Sequence, residues 1–147
     1  MRIETRQILV LVFVAALLVL VTSCSGRKGK EIGERAVARV HDQFNAGHYH
    51  DIYAQADEEF REGIGRKGTG ETDTLAWFDA VHRKLGTVKI ANETEWHVDS
   101  VRHGTVVNFF YNTQFTEGNA QEHFIFFVSG DNARLSYYGI DSSLLTK

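Results

Sequence analysis

The side chains best suited to chemistry are a carboxylate and its neighbours in the aromatic second half of the chain: Glu122, Tyr111, Tyr137 and Asp141. All four interleave with apolar residues, and the period of two along a strand puts Glu122 on the face that carries Phe124 and Phe126. A carboxyl turned toward an apolar interior is raised in pKa and can exchange a proton, and a tyrosine hydroxyl beside it can stabilise an oxyanion. Glu122 also stands near a hairpin end, where water reaches the strand and the carboxylate serves as a solvated strand start or a cross-strand partner. Trp77 lies off the apolar stripe of its helix, a position suited to a cavity mouth, a contact surface or rim packing. Tyr111, Glu122, Tyr137 and Trp77 are therefore candidates for cavity or ligand contacts. No catalytic set is assigned, because triads and paired carboxylates are recognised by geometry and not by spacing.

Seven histidines invite a metal hypothesis. His48 and His50 diverge by about 200° on a helix, where shared ligation prefers spacings of three or four. His41, His82, His97, His103 and His123 are scattered among elements, so neither a metal site nor a cofactor is expected. Gly63-Ile64-Gly65-Arg66-Lys67-Gly68 fits a G-x-G-x-x-G string, but a helix precedes it where a dinucleotide site needs a strand, and Thr69 stands where a P-loop needs Lys. It reads as a loop. The formal net charge of −3 argues against a nucleic-acid partner, which calls for clustered Lys and Arg. The sole basic cluster, Arg27-Lys28-Gly29-Lys30, reads as a solvated tether or as a contact for anionic head groups.

The elements that must position these residues follow from periodicity. Ile32, Ala36, Val37, Val40 and Phe44 form a helical stripe from Glu31, closed by Gly47. A second helix is predicted from His48 to about Ala56, with Asp57-Glu58-Glu59 as its solvated end, and a Gly-punctuated loop follows. Leu75, Phe78, Val81, His82 and Leu85 mark a third helix, capped by Thr72 or Asp73 and closed by Gly86. The period then switches to two. Val88, Ile90, Thr94, Trp96 and Val98 should share the buried face of a first strand, with Trp96 beneath the helices. Breaks at Gly104, Glu117-Gly118-Asn119 and Gly130-Asp131-Asn132 separate Thr105–Thr116, Ala120–Ser129 and Ala133–Asp141, an antiparallel meander. Helices first and strands afterwards give an α+β domain with helices packed on one face of a four-stranded sheet. Val106, Phe110, Ile125 and Phe127 make the other face apolar too, so it either curls around a pocket or is covered by another molecule, preferentially a second copy.

The N-terminus has a different character. Arg2 and Arg6 precede Ile8–Val21, an almost unbroken aliphatic run, and small residues lead to Cys24, the only cysteine. Fourteen residues make a helix of about 21 Å, short of the roughly 30 Å hydrocarbon slab, so cleavage fits better than a retained span. Val21-Thr22-Ser23-Cys24 resembles the lipobox of bacterial lipoproteins. That resemblance implies a signal peptide over 1–23, acylation of Cys24, a lipidated N-terminus and tether over 24–30, and a single domain over 31–147. It also implies a membrane partner, since several acyl chains anchor far more firmly than one. Ser25 stands where an Asp would favour the inner membrane, so the periplasmic face of the outer membrane is the expected location in a Gram-negative cell. With Cys24 lipidated, no internal disulfide forms and burial must carry the stability.

From Glu31 to Asp141 the chain also resembles the nuclear transport factor two-like, or cystatin-like, fold. The residues carrying this are Phe44-Asn45-Ala46-Gly47-His48-Tyr49, Leu85-Gly86, Tyr111 to Phe115, Ala120-Gln121-Glu122 and Tyr138-Gly139-Ile140. The resemblance implies a curved sheet, a cone-shaped cavity beneath the helices and dimerisation through the sheet. The fold hosts enzymes and binders alike. The reading adopted is a non-catalytic envelope interaction module that pairs with itself or with another envelope protein. The alternatives are a carrier of a small apolar ligand and an isomerase- or dehydratase-like enzyme using Glu122 and the tyrosines.

Overall fold

The structure, a computed structural model, describes residues 26–63 and 70–146. The signal segment, Cys24 and the core of the glycine string lie outside the described residues. Among the described residues four helices precede four strands: α1 over 26–45, α2 Tyr49–Gln55, α3 Glu58–Arg61, α4 Glu71–Leu85, then β1 Val88–Val101, β2 Gly104–Phe115, β3 Asn119–Ser129 and β4 Asn132–Asp141. The strands form one antiparallel sheet in the order β1-β2-β3-β4. The α+β class and the meander are as the sequence predicts. No helix among the described residues is long and apolar enough to cross a membrane.

The stripe of α1 buries Ile32, Ala36, Val37, Val40 and Phe44 against the inner face of the sheet, where Val107, Phe109, Phe124 and Phe126 are fully or almost fully buried. Residues 26–30, expected as tether, belong to α1. Their glycines serve packing: a Cβ on Gly29 would stand 3.3 Å from Thr105 Cγ2, and one on Gly33 would stand 2.5 Å from Phe109 Cε2. Two hydrogen-only positions thus let α1 settle onto the aromatic floor. Gly33→Ala is expected to cost about 1–3 kcal/mol, because Phe109 has no free volume into which to retreat. Thermal unfolding measures it, and an unchanged midpoint would show that helix and sheet are less closely packed.

The joints between elements are polar. Asn45 receives the backbone N–H of Val88 on Oδ1 at 2.7 Å and donates from Nδ2 to Val88 O at 3.1 Å, tying the end of α1 to the start of β1. Asp57, expected in a solvated end, instead caps α3 by accepting from Phe60 N at 3.0 Å and also accepts a bond from Ser136 of β4. At the start of α4 the cap position is Gly70, not Thr72 or Asp73. Gly47 and Gly86, with φ of 72° and 76°, end α1 and α4 where the sequence places them.

The parity of β1 differs from strict alternation. Irregularities between Val88 and Ile90 and between Glu93 and Glu95 each insert a residue, so Val88, Ala91, Glu93, Trp96 and Val98 pair with inner-face residues of β2. Ile90 turns outward and is 53% exposed. Trp96 keeps the inner side but lies on the edge strand, 42% exposed, with Lys30 Nζ 5.2 Å from its ring centroid. It is thus an edge residue under the Lys30 side chain and not one buried beneath the helices.

Candidate functional site

Three buried polar residues lie among apolar ones on the inner side: His41 in the α1 stripe, Thr113 between Tyr111 and Phe115, and Glu122 ahead of Phe124. They meet. Glu122 is 2% exposed, not wetted at a hairpin end as one reading of its position had it. Its Oε2 lies 2.9 Å from His41 Nε2 and accepts from the Thr113 hydroxyl, while Oε1 accepts from Tyr138 OH at 2.5 Å. Every partner here can donate, so both carboxyl oxygens are engaged within the protein. His41 packs edge-on to Phe124 at 5.4 Å and Tyr111 at 6.3 Å, which leaves its ring aimed at the carboxylate. The sequence signal for this set was polar residues on buried stripes. The His41–Glu122 pairing itself spans 81 positions and is invisible to local patterns.

The tyrosines divide differently from expectation. Between Ile125 and Phe126 the pairing with β4 skips Ser136, so Leu135 and Tyr138 face inward while Tyr137 faces outward. Glu122 therefore has Tyr138, not Tyr137, as its hydroxyl partner; Tyr137 and the exposed Asp141 occupy the opposite face. Tyr111 shares the inner face and is 8% exposed, but the acids near its hydroxyl include Glu93 and Glu34 as well as Glu122. Burial first, and the Glu93 and Glu34 charges next, push the Tyr111 phenol far above its usual range. Trp77 packs against Phe78 at 5.1 Å and Tyr138 at 5.6 Å, beside the network and half-buried at the rim.

The outer face has its own order. Asp99–Val106–Phe127–Arg134, His97–Asn108–Ile125–Tyr137, Glu95–Phe110–His123–Gly139 and Asn92–Asn112–Gln121–Asp141 are successive cross-strand rows. Val106, Phe110, Ile125, Phe127 and Tyr137 are half-exposed. Phe110 stacks on His123 at 4.2 Å, and His123 lies 5.1 Å from Tyr137. Partial burial pushes the His123 imidazole below its ordinary value, which favours the neutral ring beside Phe110 and Tyr137. Arg134 sits 5.8 Å from the Phe127 ring centroid. At the Asn92 end the face opens into a hollow of about 670 Å³.

The chain matches no family model and no curated protein. Among the described residues no group of His, Cys, Asp and Glu is arranged to hold a metal ion. Two places thus stand out: a buried carboxylate whose oxygens are both bonded within the protein, and an outer sheet face whose first three rows carry apolar centres flanked by polar and charged residues and whose fourth row is wholly polar.

Proposed function

We propose that this chain is a lipid-anchored protein of a bacterial cell envelope, tethered through Cys24 at the periplasmic face of the outer membrane. Its domain, read as a cystatin-like cone, is a non-catalytic interaction module that pairs with a second copy through the outer face of the sheet. The helices laid on a four-stranded antiparallel meander support the cone reading. The engagement of Glu122 by three side chains at 2% exposure supports a structural role for that carboxylate over a catalytic one.

The observation that carries self-pairing is the row Asp99–Val106–Phe127–Arg134. A two-fold axis parallel to the strands lays each row on its own reversed copy. Asp99 then meets the partner's Arg134 at both ends, and Val106 meets the partner's Phe127 between them. The three rows span about 19 Å across the strands and about 17 Å along them, by ordinary strand spacings. That is about 320 Å² per partner, below the usual size of a specific interface, so the dimer is a weak one, on the order of 1–100 µM. A membrane tether compensates, because confinement to one surface raises the effective concentration of the second copy.

Sedimentation equilibrium of residues 26–147 is expected to show a monomer–dimer equilibrium in that range; a monomer up to about 1 mM would refute self-pairing. The tether is tested separately: Cys24→Ala should abolish incorporation of labelled fatty acid and leave an uncleaved precursor. Fatty-acid labelling that survives the substitution would refute it.

A further inference from the structure

The polar hollow at the Asn92 end differs in chemistry from the rest of the outer face. Five carboxamides line it, from Asn92, Asn112, Gln114, Asn119 and Gln121, together with the carboxylate of Asp141. Asn and Asp are depleted in strands, yet Asn92, Asn112, Gln121 and Asp141 form one continuous cross-strand row. None of these six side chains bonds to another protein group among the described residues. Local preference is thus set aside at one place on the sheet with no compensating protein contact, the pattern expected where a surface serves a ligand.

The ligand's class follows from the groups. Each carboxamide offers both donors and an acceptor, and Asp141 adds an acceptor, which together match vicinal hydroxyls whose oxygens both give and take hydrogen bonds. No Lys or Arg is among the described residues lining the hollow, which disfavours phosphate or carboxylate ligands. The next row, about 7 Å along the strands, carries the stacked Phe110 and His123 with Tyr137 beside them, a neutral aromatic wall for the apolar C–H face of a pyranose ring. The hollow's volume falls within the usual range for ligand sites. We propose that this hollow binds a neutral saccharide, its hydroxyls held by the row Asn92–Asn112–Gln121–Asp141 and its ring resting on the Phe110–His123 strip. The site lies at the opposite end of the strands from Asp99 and Arg134. The polar row lies beyond the three rows of the proposed dimer face, but the Phe110–His123 strip is the third of those rows, so saccharide binding and self-pairing compete for it.

The test is isothermal titration of the full-length protein in detergent micelles with chitotetraose, maltotetraose and cellotetraose, with tetra-alanine as the peptide arm. At least one saccharide is expected to bind with a Kd below about 10 mM, and Asn112→Ala combined with Gln121→Ala should weaken it at least about tenfold, the effect of two lost hydrogen bonds. Both side chains are exposed, so the double variant should keep the parent's unfolding midpoint. Silence from all three saccharides, binding of tetra-alanine alone, or saccharide affinity indifferent to the double substitution would each overturn the proposal. Self-pairing is read by sedimentation and saccharide binding by titration, so the two readings fail separately.

Discussion

Glu122→Ala is expected to lower the unfolding midpoint by roughly 12–20 °C, a loss of about 4 kcal/mol or more. Removing the carboxylate deprives Tyr138, Thr113 and His41 of their acceptor at once in a site from which water is excluded. Each buried group left without a partner costs about 1–3 kcal/mol, and the vacated volume adds a cavity penalty. Against a typical total of about 5–15 kcal/mol that loss is severe. Glu122→Gln should do less damage: it keeps the volume and one acceptor oxygen but turns an N–H2 group toward donors. Replacing the whole network together, Glu122→Leu with Thr113→Val, Tyr138→Phe and His41→Leu, should recover most of the stability, because apolar groups of similar size leave nothing unpaired. Thermal unfolding of the three variants is the measurement. A midpoint for Glu122→Ala within about 3 °C of the parent would mean that the carboxylate is reached by water.

That network also marks the boundary of what the sequence discloses. The α1 stripe, the glycines at 47 and 86, and the two-sided alternation of β2 and β3 are legible because each is written in neighbouring residues whose spacing repeats the geometry of one element. Ile90 and Tyr137 were misread for a shared reason. A bulge reverses the parity of the residues beyond it, in β1 until a second bulge restores it and in β4 to the strand's end, and it shows in the pairing between strands more than in the local sequence. The error at Tyr137 is instructive, because one skipped residue, Ser136, exchanges which of two adjacent tyrosines reaches Glu122. Ser136 itself bonds to Asp57, so the skipped residue has a partner 79 positions earlier that no local pattern discloses. Glu122 was singled out correctly as an inward carboxylate, but its helical partner His41 depends on how α1 crosses the sheet. The glycines at 29 and 33 that allow that close crossing carry no chemistry of their own to attract notice.

Arg134→Asp is expected to weaken self-association by about a hundredfold, and the double exchange Asp99→Arg with Arg134→Asp to restore it to within about threefold of the parent. The argument rests on symmetry. In a dimer whose axis runs along the strands, Asp99 and the partner's Arg134 meet twice, so one substitution converts two attractions into two repulsions between acids. It also removes the guanidinium that lies over Phe127, exposing the ring at the centre of the contact. Both side chains are exposed in the monomer, so neither substitution should alter folding by more than about 0.5 kcal/mol. Rescue by the double exchange discriminates among geometries. An axis across the strands would instead lay β1 on β1, bringing Asp99 toward the partner's Glu95, and the exchanged pair would then gain nothing. Sedimentation of the parent, the single variant and the double variant at about 0.15 M salt separates these outcomes, and raising the salt should weaken the parent dimer while strengthening the Arg134→Asp one.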